Sequence, residues 1–243
     1  MILTLVYHHV HDPKNGLHVA TFAKHLDHLI ARYPIVIPGD PCQKTKLNLC
    51  LSFDDAFFDF YYFVFPLLKK HNIKAVLAVP TAFIEEDTTL NPEERLNVSG
   101  YDGLHQGKSF SHNPFCTWRE IKEMVSSGHV VVATHSHNHK DCTKPDLDLD
   151  NEIAWSKHLI QQHIGTLPET FVYPYGHINR NVNVLLKKHF RYVMRVGHAI
   201  NLNWDGTLYR VDAQKYWSLE KGIPWRRIPS WCIKMVLNRL RGV

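Results

Sequence analysis

Two short segments of this chain hold the residues best suited to chemistry. The run Leu51-Ser52-Phe53-Asp54-Asp55 places two adjacent carboxylates after an apolar stretch. About 80 residues later, His135-Ser136-His137-Asn138-His139 places two imidazoles four residues apart. Three of these side chains can hold a divalent ion, one carboxylate is left over, and a coordination position stays open. That is the composition of a hydrolytic metal site. Structural zinc sites are closed by four protein ligands and are rich in Cys.

Both segments follow runs that read as buried strands. Apolar, β-rich stretches recur at 2–7, 35–37, 47–53, 75–79, 130–134, 171–173 and 192–196. Helical patterns lie between many of them, at 21–32, 63–71, 151–164 and 181–190. Thr117-Trp118-Arg119-Glu120 has the form of a capping box. The helix it opens turns Ile121, Met124 and Val125 inward and stops at Gly128. Alternating strand and helix predicts a parallel α/β sheet, closed or open. In such folds the active site lies at the carboxyl ends of strands, where both motifs fall. The polar stretch 85–116, with Gly100, Gly103 and Gly107, breaks the rhythm after one such end and is placed to overhang the site.

Composition narrows the function further. With 243 residues and 44% hydrophobic content the chain fits one globular domain of barrel size. Five Cys without a CxxC pair argue against a disulfide framework and for a reducing compartment. No apolar run is long enough to span a membrane. The apolar start, Met1 to Tyr7, lacks a basic leader and reads as a first strand, so the expected location is cytoplasmic. The net charge of +5 is uneven. Residues 221–243 hold six basic side chains and no acid, which leaves 22 basic and 23 acidic residues in the body. A basic body that could grip nucleic acid is absent, and no nucleic-acid partner is expected.

The motifs together resemble the polysaccharide deacetylase family, which carries the NodB homology domain and is also called carbohydrate esterase family 4. Ser52-Phe53-Asp54-Asp55 resembles its T-F-D-D motif, and His135 to His139 resembles H-S-x-x-H. Tyr173-Pro174-Tyr175-Gly176 resembles its third motif. The resemblance covers roughly residues 1–215 and implies a distorted (β/α)7 barrel. It implies Asp54 as general base, Asp55, His135 and His139 as ligands of Zn²⁺ or another divalent transition metal, and the backbone N–H of Tyr175 as an oxyanion donor. Asp54 and Asp55 can divide these tasks only if the strand end curls, because neighbouring strand residues face opposite ways. The two histidines would share one side if 135–139 turns helically.

The chain departs from the family pattern at three points. Ala56 stands where Gly is usual, a mild change unless that position needs a positive φ. Val172 stands where many members carry an Arg that tethers the base, so Asp54 is expected to be oriented otherwise. The late L-x-x-H motif, source of the general acid, is missing. Tyr7-His8-His9-Val10 resembles the opening segment of circularly permuted members, which implies His8 as the acid, with His9 as its rival. Tyr209-Arg210-Val211-Asp212 resembles a late structural strand of unassigned role.

The expected reaction is removal of acetate from an N-acetylated sugar in a glycan or its precursor during cell-surface polysaccharide assembly. The rivals are hydrolysis of another linear amide and a carbohydrate-binding protein with a dead site. Residues 1–220 form the expected catalytic domain and 221–243 a basic tail. Pro229 can open a helix there whose stripe is Ile233, Val236, Leu237 and Leu240, with Trp231 and Met235 on the other side. The stripe either packs on the barrel or lies on the inner face of a membrane as a peripheral contact.

Overall fold

The computed structural model describes residues 1–11, 18–97, 104, 113–216 and 222–242. Seven parallel strands close into a barrel in chain order: β1 (Ile2–Tyr7), β2 (Asn48–Phe53), β3 (Ala75–Val79), β4 (Val130–Thr134), β5 (Thr170–Val172), β6 (Tyr192–Val196) and β7 (Thr207–Asp212). β1 pairs with β2 on one side and β7 on the other, so the first strand closes the ring. This is the expected (β/α)7 architecture. The strands are buried on both faces, as a parallel sheet wrapped by helices requires.

Alternation along the strands divides the core in two. Ile2, Cys50, Val76, Ala78, Ala133, Val172, Met194 and Leu208 form a cluster of their own inside the barrel. Leu3, Leu5, Leu49, Leu51, Phe53, Leu77 and Val79 join the larger cluster under the helices. Asp54 and Arg210 continue the inward-facing set of β2 and β7.

The helices α1 (Val19–Ile30), α2 (Phe65–His71), α3 (Pro92–Leu96), α4 (Trp118–Ser126), α5 (Leu149–Ile164), α6 (Arg180–His189), α7 (Ala213–Tyr216) and α8 (Ile228–Leu240) follow local signals in the sequence. The Thr117–Glu120 capping box forms in both directions, and Ile121 and Met124 are buried. Asp148 and Asn179 cap α5 and α6, and Gly165 ends α5 at a φ of 84°. Residues 35–37 do not form a strand. Ile35 makes one bridge to Leu49, because Pro34 and Pro38 break the run before a ladder can build.

The excursion from Glu85 to Cys116 is pinned through Arg95. Its guanidinium meets both oxygens of Glu120 at 2.7 and 3.0 Å and the carbonyls of Asn113 and Phe115 at 3.0 and 2.6 Å. It also lies 3.5 Å above the ring of Phe58. Glu120, which caps α4, therefore also anchors this excursion. Gly100, Gly103 and Gly107 lie outside the described residues, but Leu104 is buried and reaches the cavity described below.

In the tail, α8 forms as the Pro229 signal suggests, but the reading of its stripe as a packing face is corrected. Trp231 and Met235 are the residues buried in the core, and Ile233, Val236, Leu237 and Leu240 face outward. Trp231 is the largest side chain on the helix, so docking it removes the most apolar surface from water.

Candidate active site

At the carboxyl ends of the strands lies a cavity of about 290 Å³. His8 and Arg210 line it together with Asp54, Asp55, His135, His139, Tyr175 and Asp212. All six residues singled out for the site from the sequence thus meet in one place, although they come from four strand ends.

The backbone turns that bring them together were only partly foreseeable. Asp55 has a φ of 70° and Ala56 a φ of 52°. The chain therefore leaves β2 in a left-handed turn that swings Asp55 to the same side as Asp54. Position 56 does need a positive φ, so the methyl group there is held against its own preference. Residues 135–139 are not helical, so the two histidines do not come to share a side through a helical turn. Ser136 at 60° and His139 at 50° turn this loop instead, and two left-handed residues bring both imidazoles to one side. Tyr175 and Gly176 also have positive φ, at 59° and 71°. A Cβ on Gly176 would come within 3.0 Å of the Val196 side chain, so glycine is required for this loop to press against β6.

Asp55, His135 and His139 present donor atoms that all lie within 4.8 Å of one another. Asp55 Oδ1 sits 3.5 Å from His135 Nε2 and 3.2 Å from His139 Nε2. It is buried, yet it accepts no well-directed hydrogen bond. For bonds of about 2.0–2.1 Å, the edge of a tetrahedral coordination shell is roughly 3.3 Å long. The three donors are spaced as ligands of one small divalent ion, and the orphaned oxygen is a second sign of fit. His135 Nδ1 lies 2.8 Å from the carbonyl of Val172, which settles the tautomer and leaves Nε2 as the donor.

Asp54 is held differently. Arg210, fully buried on β7, donates from Nη1 to Asp54 Oδ1 at 2.6 Å and from Nη2 to Oδ2 at 2.9 Å. It also donates to Ser52 Oγ at 3.0 Å. Asp54 is therefore oriented otherwise than through position 172, and again by an Arg. The tether comes from β7 rather than from the β5 position that Val172 occupies. Burial alone would raise the pKa of Asp54, but the guanidinium of Arg210, aided by His135, holds the carboxyl below its ordinary value. Asp55 is likewise buried, and the close approach of His139, with His8 and His135 near by, holds its carboxyl low. Burial pushes the His135 imidazole down to about 4, against the pull of Asp54.

The two neighbouring histidines part company. His8 Nε2 points into the cavity, 3.9 Å from Asp54 Oδ2. His9 turns away, stacks on Phe57 with ring centres 3.7 Å apart, and lies 3.3 Å from Asp59. Gln214 clamps this pair, accepting from the His8 amide at 3.0 Å and donating to the His9 carbonyl at 2.6 Å. Of the other histidines, His177 sits at the exposed rim against Asp141 at 2.8 Å, and His137 contacts Thr81.

Comparison with known proteins bears on the family and the fold. Residues 43–193 match the profile described as polysaccharide deacetylase. The chain belongs to the polysaccharide deacetylase family. A curated relative, the peptidoglycan-N-acetylglucosamine deacetylase PgdA of Listeria monocytogenes, is 27% identical over 150 residues, which cover 61% of this chain and 26% of that protein. The matched stretch thus spans about a quarter of the relative. Among solved structures, IcaB from Ammonifex degensii superposes with a TM-score of 0.68 at 22% identity, covering 95% of this chain and 96% of that one. The Streptococcus pyogenes deacetylase PplD, solved with acetate, gives 0.66 at 20%, covering 90% and 95%. At these identities the likeness speaks for the fold.

Arg210 and Asp212 are cavity-lining residues that sequence reasoning left unassigned in this member of the polysaccharide deacetylase family. A signal was present: an Arg flanked by Leu208, Tyr209 and Val211 is a charge in a strand otherwise fit for burial, and such charges are paired.

Proposed function

We propose that this chain is a metal-dependent N-deacetylase that hydrolyses the acetamide of an N-acetylated sugar in a glycan or its precursor. The observation that carries this reading is the convergence of Asp55, His135 and His139 beside an Asp54 clamped by Arg210, all opening into one cavity. Asp55, His135 and His139 would hold the ion, and the imidazole-carboxylate donor set suits Zn²⁺. When bound, such an ion acidifies water and polarises the substrate carbonyl.

The remaining steps belong to side chains of this chain. Asp54, kept ionised by Arg210, accepts the proton of the attacking water. The backbone N–H of Tyr175 stabilises the negative charge that develops on the carbonyl oxygen. His8 protonates the departing amine, so the C–N bond breaks to give acetate and a free amino sugar. His8 is preferred over His9 because it faces the cavity, whereas His9 is occupied by Phe57 and Asp59. Gln214 keeps the two from exchanging places.

The reading is tested by acetate release from a panel of N-acetylated sugars, nucleotide sugars and lipid-linked glycans with Zn²⁺ added. Release that depends on Asp54 and on the metal supports it. Amide cleavage without acetate would point to another C–N hydrolase.

A further inference from the structure

We propose that the outward face of α8 is a docking surface for an anionic lipid layer. The helix carries apolar residues on two opposite sides, and the barrel covers only one. Trp231 and Met235 are buried, and Asn238 on the same side donates to the Gly197 carbonyl at 3.3 Å. At about 100° per residue, Ile233, Val236, Leu237 and Leu240 centre on the opposite side. These four are 61%, 50%, 43% and 80% exposed. Trp225, just before the helix, is 59% exposed and is the largest apolar side chain at that end.

Charge selects the occupant. Residues 221–243 contain no Asp or Glu. Lys234 and Arg241 flank the exposed stripe on one side and Arg239 on the other, and Arg226 and Arg227 lie beside Trp225; all five are exposed. An apolar centre with a basic border and an aromatic anchor matches the depth profile of a lipid interface, with acyl chains below and phosphate groups around. A second copy fits less well, because a two-fold contact through this face would set one basic border against another. A nucleic acid offers nothing to the apolar centre. Among the described residues no helix is long and apolar enough to cross a membrane, so the contact is one of lying on the surface.

The position relative to the site gives the contact a use. Gly197 lies between Val196 and His198, both of which line the cavity. The C-terminal half of α8 is thereby tied to the cavity wall, and docking would hold the mouth beside the lipid surface. This deepens the proposed reaction by placing its glycan near a membrane. The surface contact itself can hold or fail whatever the chemistry.

The experiment is co-sedimentation of the full chain with vesicles of phosphatidylcholine alone or with one quarter phosphatidylglycerol. Binding to the anionic vesicles should exceed binding to the neutral ones by roughly 10-fold or more. It should weaken as salt rises from about 0.1 to about 0.5 M. Ile233→Ser with Leu240→Ser, and separately Lys234→Glu with Arg241→Glu, should each cut binding ~5-fold or more at unchanged circular dichroism. Hydrolysis of a small soluble substrate should be unaffected in both. Equal binding to the two vesicle types, or wild-type binding by both variants, overturns the proposal. So does a concentration-dependent dimer that the Ile233→Ser/Leu240→Ser variant loses while vesicles bind neither protein, which would assign the face to a second copy.

Discussion

Arg210 grips both carboxylate oxygens of Asp54 across a separation of 156 residues in sequence, at 2.6 and 2.9 Å. Both groups are withdrawn from water inside the barrel. The pair keeps the Asp54 carboxyl ionised beside Asp55, His135 and His139.

Removing the Arg leaves that carboxylate buried and unpaired. Arg210→Met is expected to cost about 3–5 kcal/mol in urea unfolding, as breaking a buried ion pair does. Arg210→Met combined with Asp54→Asn should recover part of that loss, because the orphaned charge is gone. Strictly additive losses in the double-mutant cycle would show that the two groups do not interact.

The adjacent carboxylates should respond differently to the same change. Asp54→Asn is expected to keep metal and lose ~10²–10⁴-fold in kcat/KM, the usual scale of general-base loss. Asp55→Asn and His139→Ala are expected to lose the metal itself. Elemental analysis of the three purified variants checks both statements, and metal retained by Asp55→Asn but lost by Asp54→Asn would exchange the roles.

His8→Ala is expected to lower kcat by about 10²-fold or more while leaving KM nearly unchanged, because a leaving-group acid acts in the transition state. His9→Ala should instead lower thermal stability, since its ring stacks on Phe57 and meets Asp59. Steady-state kinetics and melting curves of both variants separate the two effects. Full turnover in His8→Ala would remove it from the reaction.

The metal-free chain should lose stability as the pH falls from about 6.5 towards 4. Burial lowers His135 from 6.5 to about 4 in the folded chain, so over that window the unfolded chain takes up a proton that the folded chain refuses. The stabilising difference is complete above 6.5 and fades below it. Asp54 and Asp55, both held below 3.8, add their own losses only at lower pH. Urea midpoints of chelator-treated protein at pH 7.5 and 5 should diverge, and less so in His135→Gln. An equal fall in that variant would place the titration elsewhere.

Short-range patterns along the chain were legible without the fold. Apolar runs marked six of the seven strands, Thr117 and Glu120 marked the start of α4, and the Asp-Asp and His-x-x-x-His segments carried the three candidate metal donors, the two histidines within five residues of each other. Each of these depends on neighbours along the chain. Tertiary structure alone decided the rest. Arg210 became the partner of Asp54 only because β7 closes against β1 next to β2. His8 was separated from His9 by what surrounds each: a cavity for one, Phe57 and Asp59 for the other. The left-handed turns at Asp55, Ser136 and His139 fall on residues other than glycine, so no glycine marked them in the sequence. Periodicity showed that α8 has two apolar sides, but which one meets the barrel depended on where Trp231 could be buried. A helix carries the pattern, while the complementary surface across from it chooses the face.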